Sequence, residues 1–274
     1  MAKGLIHISI YGHIFKCTTG EEIGSHVFLH ITATTATITN VIFVVRYITH
    51  ESKRVPNKNH RVFFEDKPMC YFVLKAMQDS KYISKILVDT DSPVITEYLA
   101  KNFPEVVAMA RPEHLLNDPP MTEILVHDTS CMPEADLFFQ THSTNPFLST
   151  ETIDGAIERF LSDEGRAYDS LFSVNQHQTR LYDELGRAMN HNPNILLRTQ
   201  DLPPVYEENS CMYVFPRDVL MSRHSRIGNR AMMYVMENRT ETVDIDTMED
   251  WNHALHLASQ GKLGAPKAPQ SKVD

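Results

Sequence analysis

The chain has 274 residues, 42% of them hydrophobic and 22% charged, the composition of a soluble globular protein able to bury a sizeable core. A formal net charge of −9 excludes nucleic acid as the main partner, because that surface requires a broad positive field, while a local basic stretch at 52–61 still admits an anionic small molecule. No apolar run is long enough to span a bilayer, so no membrane partner is expected. The widely spaced Cys17, Cys70, Cys131 and Cys211 form no CxxC and read mostly as buried, reduced thiols of a cytoplasmic protein.

Residues 1–40 are an atypical N-terminal extension, rich in Thr, Ile and His, with strand-like stretches at 5–10 and 26–39 and no recognisable chemistry. His7, Ser9, Gly12 and His13 interrupt its apolar-leaning part and make a poor signal peptide. A regular alternation begins at Val41. The run 41–45 predicts a buried parallel strand, and a helix follows with Pro68 in its first turn and Met69, Phe72, Val73 and Ala76 on one face. A strand at 86–88 ends in Asp89-Thr90-Asp91-Ser92, and a helix around 94–101 is expected to bury Val94, Ile95, Tyr98 and Leu99. A strand at 105–109, a helix at 121–127 and a strand at 137–139 come next, the last leading into the loop 140–146. The clearest helix is 150–161, with Ile153, Ala156, Ile157, Phe160 and Leu161 in one stripe.

Regularity fades between 170 and 204, where short β-like pieces at 171–174 and 195–197 read as an excursion or a dimerisation arm. Strands at 211–215 and 232–236 return to the core, and 243–246 is a strand ending in acids. A helix at 247–259 is expected to bury Met248, Trp251 and Leu255, and 261–274 reads as a disordered tail. The pattern implies an α/β fold: a three-layer, mostly parallel, doubly wound (Rossmann-like) sheet over 41–260, with a small irregular arm. Ligands of such sheets sit beyond the carboxyl ends of the strands, so the loops after Val45, Val88, Met109 and Phe139 share one rim.

Several groups on that rim carry chemistry. The loop Ser52-Lys53-Arg54-Val55-Pro56-Asn57-Lys58-Asn59 reads as a polyphosphate cradle, as a solvated connection, or as a localisation or nucleic-acid patch. Asp244 and Asp246, two apart on a predicted strand, point to one face and suit Mg²⁺; alternatively Asp246 or Thr247 caps the last helix, with Glu249 and Asp250 at its dipole. Arg111 offers a guanidinium to a phosphate or a base edge, or is simply exposed, and Gln140 at its strand end is equally open. Arg198 pairs either with a substrate carboxylate or with a neighbouring acid such as Asp201. Among the 14 histidines, His253 and His256 share a helix face, but there is no HExxH, no Cys/His quartet and no GxSxG elbow.

In order along the chain, these pieces resemble the cytidylyltransferases that activate sialic acids and related 2-keto sugar acids. That family's pattern has an Arg-Gly-Gly-Ser-Lys loop followed by Pro-x-Lys-Asn, and Ser52, Lys53, Pro56, Lys58 and Asn59 match it. Asp89-Thr90-Asp91-Ser92 is similar to its Ser-Thr-Asp-Ser turn, and Arg111-Pro112, Leu115 and Asp118 to its Arg-Pro-x-x-Leu-x-x-Asp element. The loop 140–146 resembles a variant of Gln-x-Thr-Ser-Pro, and Gln200-Asp201-Leu202, Glu208-Asn209 and Asp244-Ile245-Asp246-Thr247 complete the series. The resemblance implies that Ser52, Lys53, Lys58 and Asn59 hold CTP phosphates, with Lys53 also catalytic. It implies that Arg111 and Thr122 contact the cytosine, and that Gln140, Arg198 and Asn209 bind the sugar acid. Asp244 and Asp246 would take Mg²⁺ and share the catalytic role, in a homodimer that transfers CMP from CTP to the sugar acid and releases pyrophosphate. The family's phosphate-binding Arg and two Gly positions fall on Thr49, His50 and Glu51, where a charge and a Cβ replace an open nest. Those three residues favour the alternative, a relative that binds a nucleotide or partner without turnover. A nucleotidyltransferase for another sugar or base is the third reading.

Overall fold

Apart from Arg46, every residue of β4 (Val41–Ile48) is β-branched or aromatic, the composition of a strand covered on both faces. It lies at the centre of a seven-stranded sheet, parallel to β7 (Ile83–Thr90) on one side and β9 (Leu137–Thr141) on the other. This computed structural model describes residues 54–116 and 119–263 in full and, before them, the backbone of four strands. Three of those, β1 (Ile6–Ile10), β2 (His13–Thr19) and β3 (Leu29–Thr32), form an antiparallel sheet of their own. β5 (Val62–Phe64) and β6 (Lys67–Pro68) form a hairpin whose turn residues Glu65 and Asp66 have φ of 47° and 58°.

The main sheet runs in the order β12-β10-β11-β9-β4-β7-β8, with β8 at Val107–Ala110, β10 at Ser170–His177, β11 at Val205–Pro216 and β12 at Ala231–Val235. All are parallel to β4 except β11, which is antiparallel to both β9 and β10. Alternation along the strands feeds two cores. Leu137, Phe139, Met212 and Val214 face α1 (Met69–Gln78), α2 (Pro93–Asn102) and α4 (Thr150–Leu161). Phe138, Tyr213 and Phe215 face Leu125 of α3 (Met121–Ser130) and Leu220 of α5 (Arg217–Arg223). The result is the three-layer, mostly parallel α/β architecture that the sequence implies. A third cluster packs Val55, Phe63, Met69, Phe147 and Ile245 against Trp251, Ala254 and Ala258 of α6 (Met248–Ser259). It anchors the end of the basic loop to α6, the last helix among the described residues.

Several expectations need correction. Ser170–His177 is a core strand and not part of an arm: it pairs with both β11 and β12, and its buried Ser170 and Ser173 hide the apolar alternation. The excursion is therefore 178–204. Ile195, Leu196 and Leu197 form no strand there and are exposed. Residues 243–246 form no strand and belong to no sheet. Val94 and Met248, both in first helical turns, are exposed, since packing begins only with Ile95 and Trp251. Cys70 and Cys211 are buried, and burial raises both thiols, Cys70 to about 12, whereas Cys131 is exposed. Among the described residues, no helix is long and apolar enough to cross a membrane.

Candidate active site

Three loops meet beyond the carboxyl ends of β4 and β9. The first is the basic loop. Asn57, with φ of 58°, accepts backbone N–H groups from His60 and Arg61 at 3.1 and 2.8 Å, closing a tight turn that turns Lys58 and Asn59 inward. Lys58 Nζ donates to the Ile245 carbonyl at 2.8 Å and to Asp246 Oδ1 at 3.1 Å, and Arg54 Nη1 reaches the other Asp246 oxygen at 3.0 Å. The second loop follows β9: Ser143 Oγ donates to Asn59 Oδ1 at 3.3 Å, and Asn145 Nδ2 to the Val243 carbonyl at 3.2 Å. The third is 243–246, held by Ile245 N–H to the Thr144 carbonyl at 3.1 Å. Ile245 is fully buried, so its two flanking acids are kept at the surface of the same junction. Lys58, Asn59, Asp244 and Asp246 are thus brought together, the two acids from a coil rather than the expected strand. Ser52 and Lys53, and the altered Thr49, His50 and Glu51, lie outside the described residues.

Asp244 keeps solvent-exposed surface, yet the protein around it raises its carboxyl above the ordinary value. The Asp246 charge pushes the same way, against a hydrogen bond with Thr144 and the nearby Lys58 and Arg54 charges. Among the described residues no group of three or more His, Cys, Asp and Glu side chains is arranged to hold a metal alone. Mg²⁺ commonly takes one or two carboxylates and completes its shell with water and substrate phosphates. The two neighbouring acids fit an ion that arrives with a nucleotide.

The second rim group is closed. Arg111 follows β8, and its side chain is fully enclosed, with Nε donating to both Asp89 oxygens at 3.2 and 3.1 Å. Asp89 stands where the resembled pattern has Ser. Asp128 of α3 is fully buried beside this pair, and among the described residues no hydrogen-bond donor reaches its oxygens. Burial first, and the Asp89 charge second, push its carboxyl up to about 8, with Arg111 pulling back. Asp89 thus takes the guanidinium, and the enclosed Asp128 beside the pair is the acid that keeps its proton into the neutral range. A base contact by Arg111 requires its guanidinium to be drawn partly out of this pocket. Thr122 is half-buried in the first turn of α3.

The third group surrounds Gln140, at the carboxyl end of β9 and fully enclosed. Its Oε1 accepts from Arg226 Nη1 at 2.8 Å, and its Nε2 faces Met121 Sδ at 3.7 Å. Arg226 is the functional candidate that sequence reasoning missed; it lies in an irregular loop and only the tertiary contact reveals it. Asn209 is spent on structure. Its Oδ1 accepts from Ser173 Oγ at 2.6 Å and from Cys211 N–H at 3.1 Å, stitching a bulge where β11 slips register against β10. Arg198 lies in the excursion and makes a two-point pair with Asp201, Nε to Oδ2 at 2.7 Å and Nη2 to Oδ1 at 3.1 Å, with both side chains exposed.

A family model described as cytidylyltransferase matches residues 49–264. The "post-translational flagellin modification protein B" of Campylobacter coli is 25% identical over 225 residues, covering 78% of this chain and 93% of that protein. An N-acylneuraminate cytidylyltransferase of Streptococcus agalactiae is 28% identical over 213 residues and covers 75% of this chain. This chain spans about half (51%) of that streptococcal protein's length. In architecture the chain is similar to a CMP:2-keto-3-deoxy-manno-octonic acid synthetase complexed with CTP, with a TM-score of 0.60 over 81% of this chain and 99% of the other at 15% identity. That likeness bears on the fold.

Proposed function

The chain belongs to the cytidylyltransferase family, nucleotidyltransferases that use CTP, and from that premise we propose that it transfers CMP to a sialic-acid-like 2-keto sugar acid with Mg²⁺ bound. The observation that carries this reading is the junction of Lys58, Asn59, Asp244 and Asp246. Arg54 and Lys58 contribute two positive charges there, and Asp244 and Asp246 two negative ones, so the junction is near neutral by itself. A triphosphate needs a positive site, and a divalent cation between the acids would restore that sign and stabilise charge on the reacting phosphorus. Held there, Lys58 exchanges its contact with Asp246 for a phosphate oxygen while its bond to the Ile245 carbonyl keeps it in place. Asn59, steadied by Ser143, offers an amide to the same oxygens. The anomeric hydroxyl of the sugar then attacks the α-phosphorus in line; the new P–O bond replaces the bond to pyrophosphate, and the hydroxyl proton leaves to water or a basic group.

The acceptor is assigned by analogy with the relatives named above, one for an N-acylneuraminate and one for a 2-keto octonic acid. The protein is expected to work in the cytoplasm as a homodimer, through the apolar excursion 178–204. The test is pyrophosphate release from purified protein, CTP and Mg²⁺ across a panel of acidic sugars. Turnover is expected, and Asp246→Asn should lower kcat/KM roughly 10²- to 10³-fold, since it removes both a metal ligand and the partner of Lys58. A second reading, CTP binding without turnover, is favoured by the Asp89–Arg111 pair and by Thr49-His50-Glu51. Silence with every sugar, together with calorimetric binding of CTP, would establish it instead.

A further inference from the structure

Gln140 sits at the middle of the rim but has no exposed surface, so it cannot by itself meet a ligand. The group that covers it is Arg226, from the loop between α5 and β12, whose side chain is 17% exposed. Gln140, Tyr213 and Glu208 are among the neighbours of its guanidinium. Nη1 donates to Gln140 Oε1, Cζ lies 3.4 Å from the centroid of the Tyr213 ring, and Nη2 is 3.8 Å from Glu208 Oε1. The last contact is too long for a hydrogen bond, and Glu208 is engaged elsewhere, accepting from the Tyr213 hydroxyl. Burial holds the Tyr213 phenol up to about 12, so it stays a neutral donor to Glu208 throughout the working pH range.

The loop is held as firmly as the side chain. Backbone N–H groups of Asn229 and Arg230 donate to the Asp169 carboxylate at 2.9 and 3.1 Å, and that of Gly228 to Ser170 Oγ at 2.8 Å. A Cβ at Gly228 would fall 2.2 Å from Asp169 Oδ1, so only glycine allows this approach. Arg226 is therefore preorganised. By donating to Oε1 it also fixes the Gln140 amide, turning Nε2 towards a thioether, a weak acceptor. The guanidinium thus stands beside the Glu208 carboxylate at 3.8 Å, too far for a hydrogen bond, and its planar fork matches a planar anion better than a neutral group.

We propose that Arg226, steadied by Gln140 and Tyr213, receives the carboxylate of the acceptor sugar and thereby makes the enzyme select an acid. The assignment rests on the sugar-acid reading above. The incoming carboxylate replaces the loose Glu208 contact, and the fork of the guanidinium gives the two-point geometry that a lysine lacks.

The test compares kcat/KM for an acidic sugar that turns over with that for its carboxamide analogue, in the full chain. Wild-type protein should prefer the acid. Arg226→Gln should lower kcat/KM for the acid roughly 10- to 100-fold, through KM for the sugar more than KM for CTP, so that the preference collapses. Arg226→Lys should keep only part of it. If Arg226→Gln does not fold, the Lys variant decides, because it retains charge and bulk. An undiminished acid preference in Arg226→Lys, or in a folded Arg226→Gln, would overturn this role while leaving the cytidylyltransferase reading intact. Wild-type protein that turns over no acidic sugar would remove the functional reading, and this role with it.

Discussion

Asp128 shows how much a single residue can report about this molecule. Its carboxyl is enclosed beside Asp89 and Arg111, and the neutral acid is the form that folding favours. A raised acid contributes stability that is complete at low pH and is lost as pH climbs from the ordinary carboxylate range to about 8, then changes no further. The melting temperature should therefore fall by roughly 3–5 °C per pH unit between pH 6 and 8 from this group. Asp128→Asn, an uncharged isostere, should flatten that slope, and thermal melts at pH 6, 7 and 8 measure it. An unchanged slope would mean that the proton is carried elsewhere. The same pocket accounts for one difficulty in reading residues singly: Arg111 fits a base-contact pattern in sequence, but Asp89, 22 positions earlier, takes its Nε edge.

At the scale of elements, α6 serves both the fold and the site. Thr247 caps it in a capping box with Asp250, and Trp251 fills the third core against Phe63 at a 5.2 Å centroid separation. Asp250 Oδ2 also accepts the backbone N–H of Asp246 at 3.1 Å, so the cap aims a candidate metal ligand. Thr247→Ala removes the cap alone and should cost about 1 kcal/mol, read as a melting shift of roughly 2–4 °C. Asp250→Ala should cost a similar amount and in addition lower kcat/KM, because it releases Asp246. Equal activity in the two variants would separate the cap from the site. Sequence spacing identified this helix; the expected strand at 243–246 is absent, and the Ile245 N–H goes to the Thr144 carbonyl of a loop.

For the whole molecule, the excursion 178–204 is the feature that a lone chain leaves unexplained. Leu185, Met189 and Leu196 are 70%, 65% and 89% exposed, while local turns are well bonded, as where Gly186 (φ +75°) lets Asp183 accept the Arg187 backbone N–H. Ordered backbone with apolar side chains facing solvent suits a surface that a second copy covers. Sedimentation should find a dimer, and Leu185→Glu with Leu196→Glu should give a folded monomer with unchanged far-ultraviolet dichroism. A wild-type monomer at micromolar concentration would rule the arm out as the interface.

By itself the sequence determined the alternation of strands and helices, a buried parallel strand at 41–45, the rim that collects the loops, and the acid pair after Val243. These are local properties, written in periods of 2 and 3.6 residues and in turn chemistry. Tertiary structure alone decided that β11 runs against its neighbours and that Ser170–His177 belongs to the sheet. It also decided that Arg111 turns inward to Asp89 and that Arg226 lies over Gln140. Each of these depends on which distant group shares a buried space, 86 residues away in the case of Gln140 and Arg226. Burial makes such a choice steep, because an enclosed charge or amide must find a partner, and no local periodicity encodes which one.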